Sequence, residues 1–574
     1  MTKIWKIKQA DEQITDVIAE ALKIHPVICK LLSFRGVADY ESAKSFFRPA
    51  LCQLHDPFLM KGMAIAVERI GKAIQRNETI MVYGDYDVDG TTAVAVVFSF
   101  LKKTNPGANI LFYVPHRYRE GYGISTAGID FAIEQGVSLM ITLDCGIKSA
   151  DKIDYAASLG IDVIICDHHT PDETQIPKAL AILNPKQTDC AYPFKELSGC
   201  GIGYKLISAI AQHRDLPAET TERYLDLVAT SIAADIVPMD GENRILAAFG
   251  IIRANENPSL ALKTIKEIAG VTRNFTISDL VFIIAPRINA AGRMDDARKA
   301  IELFIEEEPV KSRELAEILC SDNFDRKEVD KNMTDEALDI LQNDTAMSSH
   351  MSTVLFRPHW HKGVVGIVAS RLIDHYYRPT IVLTESNGKV TGSARSVNGF
   401  NIYEAIHQCG DLLENYGGHF FAAGMTLCPE NLIAFQEKFE RVVCDTIEST
   451  SLKPVIEIDA ELRLKDINDG FYNIIRQFEP FGPTNLRPVF ISRNVSNYKG
   501  YTRVVKEMHI RFVIEQDKGA TISGIGFGMA DKYDIIASGQ PFDILYTLDE
   551  NDWNGNKSIQ MKVIDVRPSA ENNY

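Results

Sequence analysis

A chain of 574 residues is too long for one compact core and calls for two to four domains. Its 45% hydrophobic and 24% charged residues are those of an ordinary soluble protein, and no run of about 18 apolar residues offers a membrane span. The net charge of −16 excludes a protein that coats nucleic acid by bulk attraction, but not an enzyme that draws a nucleic-acid end into a local basic groove.

Residues 1–75 read as a helical, polar segment broken by Pro26 and Pro49. From Glu78 short apolar runs alternate with helical stretches. Strands are expected at Thr79–Gly84, 109–114, 138–143 and 161–166, with helices at 91–103, 126–135 and 149–159. This βαβα rhythm predicts a mostly parallel sheet with helices on both faces, whose ligands bind beyond the carboxyl ends of its strands. Residues 201–305 are mostly helical, and 309–345 read as a charged connecting helix. A second α/β pattern covers 346–452, with a strand at Thr353–Phe356, a helix at 364–376 and strands near Ile381 and Lys389. Residues 453–574 are strand-rich, with short strands at Val455–Ile458, 489–491, 509–514, 544–548 and 559–566, which suggests a small OB-like barrel. Ten scattered cysteines without a C-x-x-C pair, and a charged N-terminus without an apolar leader, point to reduced thiols in a cytoplasmic protein.

The chemistry gathers at predicted strand ends. In Asp85-Tyr86-Asp87-Val88-Asp89-Gly90 an extended backbone would put three carboxylates on one face, a costly arrangement unless cations neutralise it. Gly90 would then allow a tight turn into a helix whose N-terminus could receive a phosphate. Asp144 and Asp167-His168-His169 end two further strands, and Asp235 interrupts an apolar helix end. Each element alone has an ordinary structural explanation, an acidic loop or a helix cap; four together do not. Oxygen and imidazole donors without a needed cysteine favour Mn²⁺ or Mg²⁺, with imidazole tilting the choice to Mn²⁺. Two such ions, bridged by a carboxylate, are a common device of phosphoester hydrolysis. Alternating Arg117, Tyr118, Arg119 and Tyr122 fit backbone charge plus base stacking, although Tyr122 could equally be core. Residues 351–378 carry Arg357, Lys362, Arg371 and Arg378 against the single acid Asp374, a basic wall in an acidic protein.

On these motifs the chain resembles the DHH phosphoesterase superfamily and, within it, the RecJ family of single-strand-specific 5′ exonucleases. The likeness continues through Pro115–Gly123, Pro286–Arg293, Pro358–Arg371, Gly392-Ser-Ala-Arg-Ser396, Gly417–Gly424 and Asn554-Gly555 … Gln560 … Asp565–Pro568. It implies a parallel-sheet DHH domain at 76–308, a DHH-associated domain at 346–452 and an OB fold at 453–574. It further implies that Asp87 and Asp144 hold one cation, while Asp89, Asp144, His168 and Asp235 hold a second. Asp144 would bridge, and His169 would orient or protonate the scissile phosphate. Arg117, Tyr122, Arg287, Arg293, His361, Ser393, Arg395 and His419 would line the path of the DNA and its 5′ phosphate. Many relatives carry a histidine ligand where this chain has Tyr83, so the first cation is expected to lean on Asp85 or water. The segment 480–488 departs from the Gly-Asn-Pro usual there. A monomer acting on single-stranded DNA is implied, delivered by a single-strand-binding protein or helicase, in repair and recombination. The alternatives are a DHH phosphatase on short oligonucleotides, which lacks the barrel, and a non-catalytic replication scaffold, in which the metal carboxylates would have decayed.

Overall fold

The structure, a computed structural model, describes residues 3–294, 296–344, 347–517, 519–553 and 556–569; Asn554 and Gly555 lie outside the described residues. The chain opens on a strand rather than a helix. β1 (Ile4–Ile7) pairs in parallel with Val455–Ile458, more than 400 residues later. The helices Glu12–Leu22, Pro26–Ser33 and Tyr40–Phe47 follow, and they bury Ile18, Ile28, Leu31 and Leu32 in one core with Phe490, Phe512 and Phe542 of the C-terminal barrel. The N-terminal segment is therefore not a helical unit of its own, because its apolar stripe is completed only by the other end of the chain.

β2 (Thr79–Gly84), β3 (Ile110–Tyr113), β4 (Val137–Leu143), β5 (Asp162–Cys166) and β6 (Ala181–Leu183) form a five-stranded, wholly parallel sheet in the order β3-β2-β4-β5-β6. Alternate residues enter two cores, Ile80 and Val82 on one face and Met81 and Tyr83 on the other. The order reverses at β2, so the crevice beyond the carboxyl ends of β2 and β4 is the natural ligand site. Register sharpens this: Gly84 pairs with Leu143, and Leu143 with Cys166. The next residues, Asp85, Asp144 and Asp167, thus stand in one row on strands spaced about 4.8 Å apart.

The Asp85–Asp89 expectation needs correction. The helix begins at Val88, not at 91, so the three carboxylates do not alternate along a strand. Asp87 is the helix N-cap and Asp89 lies in the first turn. Gly90 is likewise inside the helix: a Cβ there would lie 2.4 Å from the Asp85 carbonyl oxygen, so glycine serves close approach instead of a turn.

The 35-residue helix Pro309–Asn343 leads to a second sheet of β7 (Thr353–Phe356), β8 (Thr380–Ser386), β9 (Lys389–Arg395), β10 (Asn415–His419) and β11 (Ala422–Leu427), ordered β10-β11-β9-β8-β7. The helix Val365–His375 makes the parallel crossover from β7 to β8. In the C-terminal part β12 (Val455–Ile458) belongs to β1 and not to the barrel. β13 (Ala460–Glu461), β14 (Phe490–Asn497), β15 (Arg503–Val505), β16 (His509–Gln516), β17 (Ala520–Gly526), β18 (Phe542–Trp553) and β19 (Asn556–Pro568) share one sheet, closed into a five-stranded barrel by the pairing of β14 with β16. β17 is the barrel strand that the hydrophobic pattern missed. No helix among the described residues is long and apolar enough to cross a membrane.

Arg244, 4% exposed on the helix Gly241–Glu256, ties these parts together. Its guanidinium donates to the carbonyls of Phe46, Gln477 and Phe478 and lies 4.0 Å from the Phe46 ring centroid. Asn485, within the segment that departs from Gly-Asn-Pro, donates to the carbonyls of Phe478 and Pro480 and accepts from Arg35. Arg244→Leu strands those carbonyls and is expected to cost about 1–3 kcal/mol, read as a lowered unfolding midpoint with faster amide exchange at 477–481.

Candidate active site

Asp89 is the most firmly held acid. Its Oδ2 accepts from the Gly199 amide and its Oδ1 from the Cys200 amide, both at 2.7 Å, at the start of the helix Gly199–His213. Ser231 Oγ adds a third donor at 2.7 Å, and itself meets Ser198 Oγ. Two buried helix-start amides and the helix dipole favour a carboxylate there. Asp87 accepts from the Gly90 amide as cap of its own helix. Asp144 follows β4 with φ +58°, a left-handed conformation that Asp tolerates better than most residues, and its amide donates to the Cys166 carbonyl. A Cβ on Gly199 would fall 2.6 Å from Asp144 Cβ, so only glycine lets this helix start so close to the strand end.

His168 Nε2 faces three carboxylates: Asp144 Oδ1 at 3.1 Å, Asp235 Oδ2 at 3.6 Å and Asp89 Oδ2 at 3.7 Å. Asp235 reaches them from the end of the helix Leu225–Ala234. Asp144 Oδ1 is buried and makes no hydrogen bond, and neither does buried Asp85 Oδ2. Burial and the neighbouring Asp89 and Asp87 carboxylates push Asp235 up to about 9, and the same causes raise Asp144. Burial, more than any pairing, lowers His168 and so keeps its imidazole neutral. Orphaned carboxylate oxygens, mutual repulsion and a neutral imidazole facing one space are what a divalent cation relieves. Donor atoms of Asp89, His168 and Asp235 lie within 4.8 Å of one another, as do those of Asp144, His168 and His169.

His169 is different from its neighbour. Its Nδ1 stands 2.7 Å from Asp167 Oδ1 and donates to that carboxylate, so Nδ1 itself is not free to ligate. Burial opposes charge on both, but the Asp167–His169 hydrogen bond outweighs it, raising His169 and, with the Ile147 and His169 amides, bringing Asp167 to about 2. Asn184 donates to the His169 carbonyl, and Tyr122 Oη lies 3.2 Å from Nε2. Tyr83 does not reach this site. Its ring stacks on Tyr113, and its hydroxyl donates to the Gly123 carbonyl and accepts from the Ser125 amide, fastening the loop that carries Arg117 and Tyr122.

Tyr122 is 54% exposed, which rules out a core role, and its hydroxyl also donates to the Asp144 carbonyl. Arg117 stacks on Tyr86, and Arg293 donates to the Gly363 carbonyl of the second domain. Burial, then Arg117 and Arg326, lower Arg293 to about 10, and Arg395 adds to this. Ser393 and Arg395 share a face of β9, with Ser393 Oγ 2.7 Å from Arg395, and Gly366 packs against both. Arg395 pairs with Ala422 and Ala422 with His419, which puts His419 on the same sheet face two strands away. His361 accepts from the Gly363 amide beside Arg293. Arg287 lies apart: it contacts Cys320 of the long helix and the Ile283 carbonyl. Sequence reasoning missed Ser198, Gly199, Cys200 and Ser231, which hold Asp89, and gave Asp167 no role. The one available signal was Ser198-Gly-Cys-Gly201, a capping serine with glycines at a helix start.

Family models match in three blocks: the DHH family N-terminal domain over 79–232, the DHHA1 domain over 348–445 and the RecJ OB domain over 458–565. A single-stranded-DNA-specific exonuclease RecJ from Bacillus subtilis is 35% identical over 568 residues, covering 98% of this chain and 71% of that protein. The chain belongs to the RecJ family. RecJ from Thermus thermophilus in complex with Mn²⁺ superposes with a TM-score of 0.84 at 27% identity, covering 99% of this chain and 80% of that one. Its Mg²⁺ complex gives 0.78 at 25% identity, covering 99% and 79%. A divalent cation in RecJ agrees with the donor set gathered here.

Ser231→Ala leaves Asp89 with two donors of three. Divalent-cation affinity is expected to fall about 10–100-fold, measured by calorimetric titration with Mn²⁺, while the fold is retained.

Proposed function

We propose that this chain is a divalent-cation-dependent exonuclease that degrades single-stranded DNA from its 5′ end to mononucleotides. The observation that carries the reading is the pairing of two unlike surfaces. Asp89, Asp144, His168 and Asp235 converge at the sheet edge, and Arg293 links that edge to a second domain bearing Ser393 and Arg395. Its RecJ relatives are named for activity on single-stranded DNA, which fits the exposed Tyr122 beside Arg117.

Asp87 and Asp144 would hold one cation, and Asp89, Asp144, His168 and Asp235 a second, Mn²⁺ being favoured by the imidazole and Mg²⁺ accepted. Bound there, the cations would lower the pKa of an attacking water and neutralise charge on the phosphate. Asp167 orients the His169 imidazole and favours its protonated form, which can donate to a phosphate oxygen or to the leaving group. Tyr122 offers an exposed ring on which a base near the cut stacks. Arg395 and Ser393 grip the terminal phosphate, and closing the groove at that point makes cleavage end-dependent. The retained acids disfavour a scaffold, and the closed barrel disfavours a short-oligonucleotide phosphatase. We assign the protein to the cytoplasm as a monomer in repair and recombination, with a single-strand-binding protein or helicase as delivery partner.

Digestion of 5′-labelled and 3′-labelled single strands is expected to release labelled mononucleotide first from the 5′ label, with Mn²⁺ and not with EDTA. Cleavage of circular single strands would refute end dependence. Arg395→Ala is expected to lose about 10–100-fold in preference for a 5′ phosphate over a 5′ hydroxyl, as fits one charge-assisted bidentate contact; an unchanged ratio of kcat/KM for the two substrates removes it from the pocket.

A further inference from the structure

The residue between the two acids of the strand end, Tyr86, has no assigned part in the chemistry, yet its ring touches the substrate arm twice. Arg117 Cζ lies 4.7 Å from the ring centroid, within cation–π range. The Tyr122 ring meets it edge-on, at 6.3 Å and 85°. Gly292 closes over its backbone, where a Cβ would fall 2.9 Å from the Tyr86 carbonyl oxygen, and the adjoining Arg293 carbonyl accepts from Tyr118. Among the described residues Arg117 makes no hydrogen bond and no ion pair with the protein; the Tyr86 ring, with the charge of nearby Asp85, is what holds its guanidinium. A guanidinium stacked on a ring keeps its in-plane N–H donors free, which is the state that grips phosphate oxygens.

We propose that Tyr86 is a positioning residue for substrate binding. Its aromatic face holds Arg117 with its donors free for the DNA backbone. The turn that carries the metal-holding acids thereby also sets the distance from those acids to the nearest backbone contact. Tyr86 does not itself stack on a base, since one face is occupied by Arg117 and its ring meets Tyr122. The inference rests on Arg117 as a phosphate contact.

The test uses the full chain with Mn²⁺ and 5′-phosphorylated single strands, comparing Tyr86→Phe, Tyr86→Leu, Arg117→Ala and the double variant Tyr86→Leu/Arg117→Ala. Tyr86→Phe keeps the ring and is expected to match the parent. Tyr86→Leu keeps bulk without the ring quadrupole and is expected to raise KM about 2- to 30-fold, with kcat and Mn²⁺ affinity unchanged. Loss of one phosphate contact lowers the slope of log KM against log salt by about 0.7, and both single variants are expected to show it. The double variant is expected to be no worse than Arg117→Ala. Additive losses, an unchanged salt slope in Tyr86→Leu, or a defect in kcat or Mn²⁺ affinity instead of KM would overturn the role of Tyr86 while leaving Arg117 as a contact. If Arg117→Ala itself changes neither KM nor slope, the phosphate role of Arg117 falls and the positioning role falls with it.

Discussion

Like charges gathered in a buried crevice are the constraint around which this molecule is built. Asp87, Asp89, Asp144 and Asp235 repel one another, and burial adds to the cost. The fold offsets part of that with backbone dipoles. In a parallel sheet each helix starts near where a strand ends, so the amino ends of Val88–Thr104 and Gly199–His213 arrive at the acids of their own accord. Two glycines make the approach possible: Gly90 lies against the Asp85 backbone and Gly199 against Asp144. Asp89, with three donors, gains most; Asp144 is left with an orphaned buried oxygen. Asp144 is the acid offered as the bridge between cations, where two positive charges would act on it at once.

The face proposed to bind phosphate obeys the opposite rule and comes from a different domain. A guanidinium packed among these acids would form ion pairs with them and hold neither cation nor phosphate. Arg395 and Ser393 sit on a separate sheet, and Arg117 and Arg293 are engaged by a ring and a carbonyl rather than by carboxylates. The long helix keeps the two faces apart. Its 35 residues span about 50 Å, and its buried Asp330 pairs with Arg371 of the second domain at 2.7 Å. Asp330, like Glu336 of the same helix toward Arg357, thus serves docking between helix and domain.

Much of this was legible in the sequence, and the misses have physical causes. Parallel strands buried on both faces announce themselves as apolar runs, and an Asp after β2, β4 and β5 marks the crevice. The three acids of 85–89 were read as one extended face because period two is the simplest rule for alternating residues. The backbone turns into a helix at Val88, and Asp87 is the cap that turns it. Donors to Asp89 were invisible because Ser231 and Cys200 are ordinary helix residues until two helices cross. Tyr83 was legible as a departure from the histidine of many relatives but not as the clasp of the 123–125 turn, which depends on contacts about 40 residues away. Pairing of β1 with β12 over more than 400 residues has no local signal at all.

That last pairing bears on the candidate metal centre. Asp235 ends its helix, Ile236 takes φ +58°, and three residues on the Met239 amide donates to the Pro483 carbonyl at 2.7 Å. Arg244 then grips the carbonyls of Phe478 and Gln477, and Asn485 locks the same turn from the other side. Phe478 shares its core with the N-terminal helices and the barrel. The segment that carries Asp235 is therefore clamped at one end by the catalytic sheet's helices and at the other by the barrel's approach loop. A barrel shifted relative to the catalytic domain would pull on residues 236–240 and so on Asp235. The distant ends of the sequence, paired through β1 and β12, hold that barrel still, and in doing so they hold Asp235.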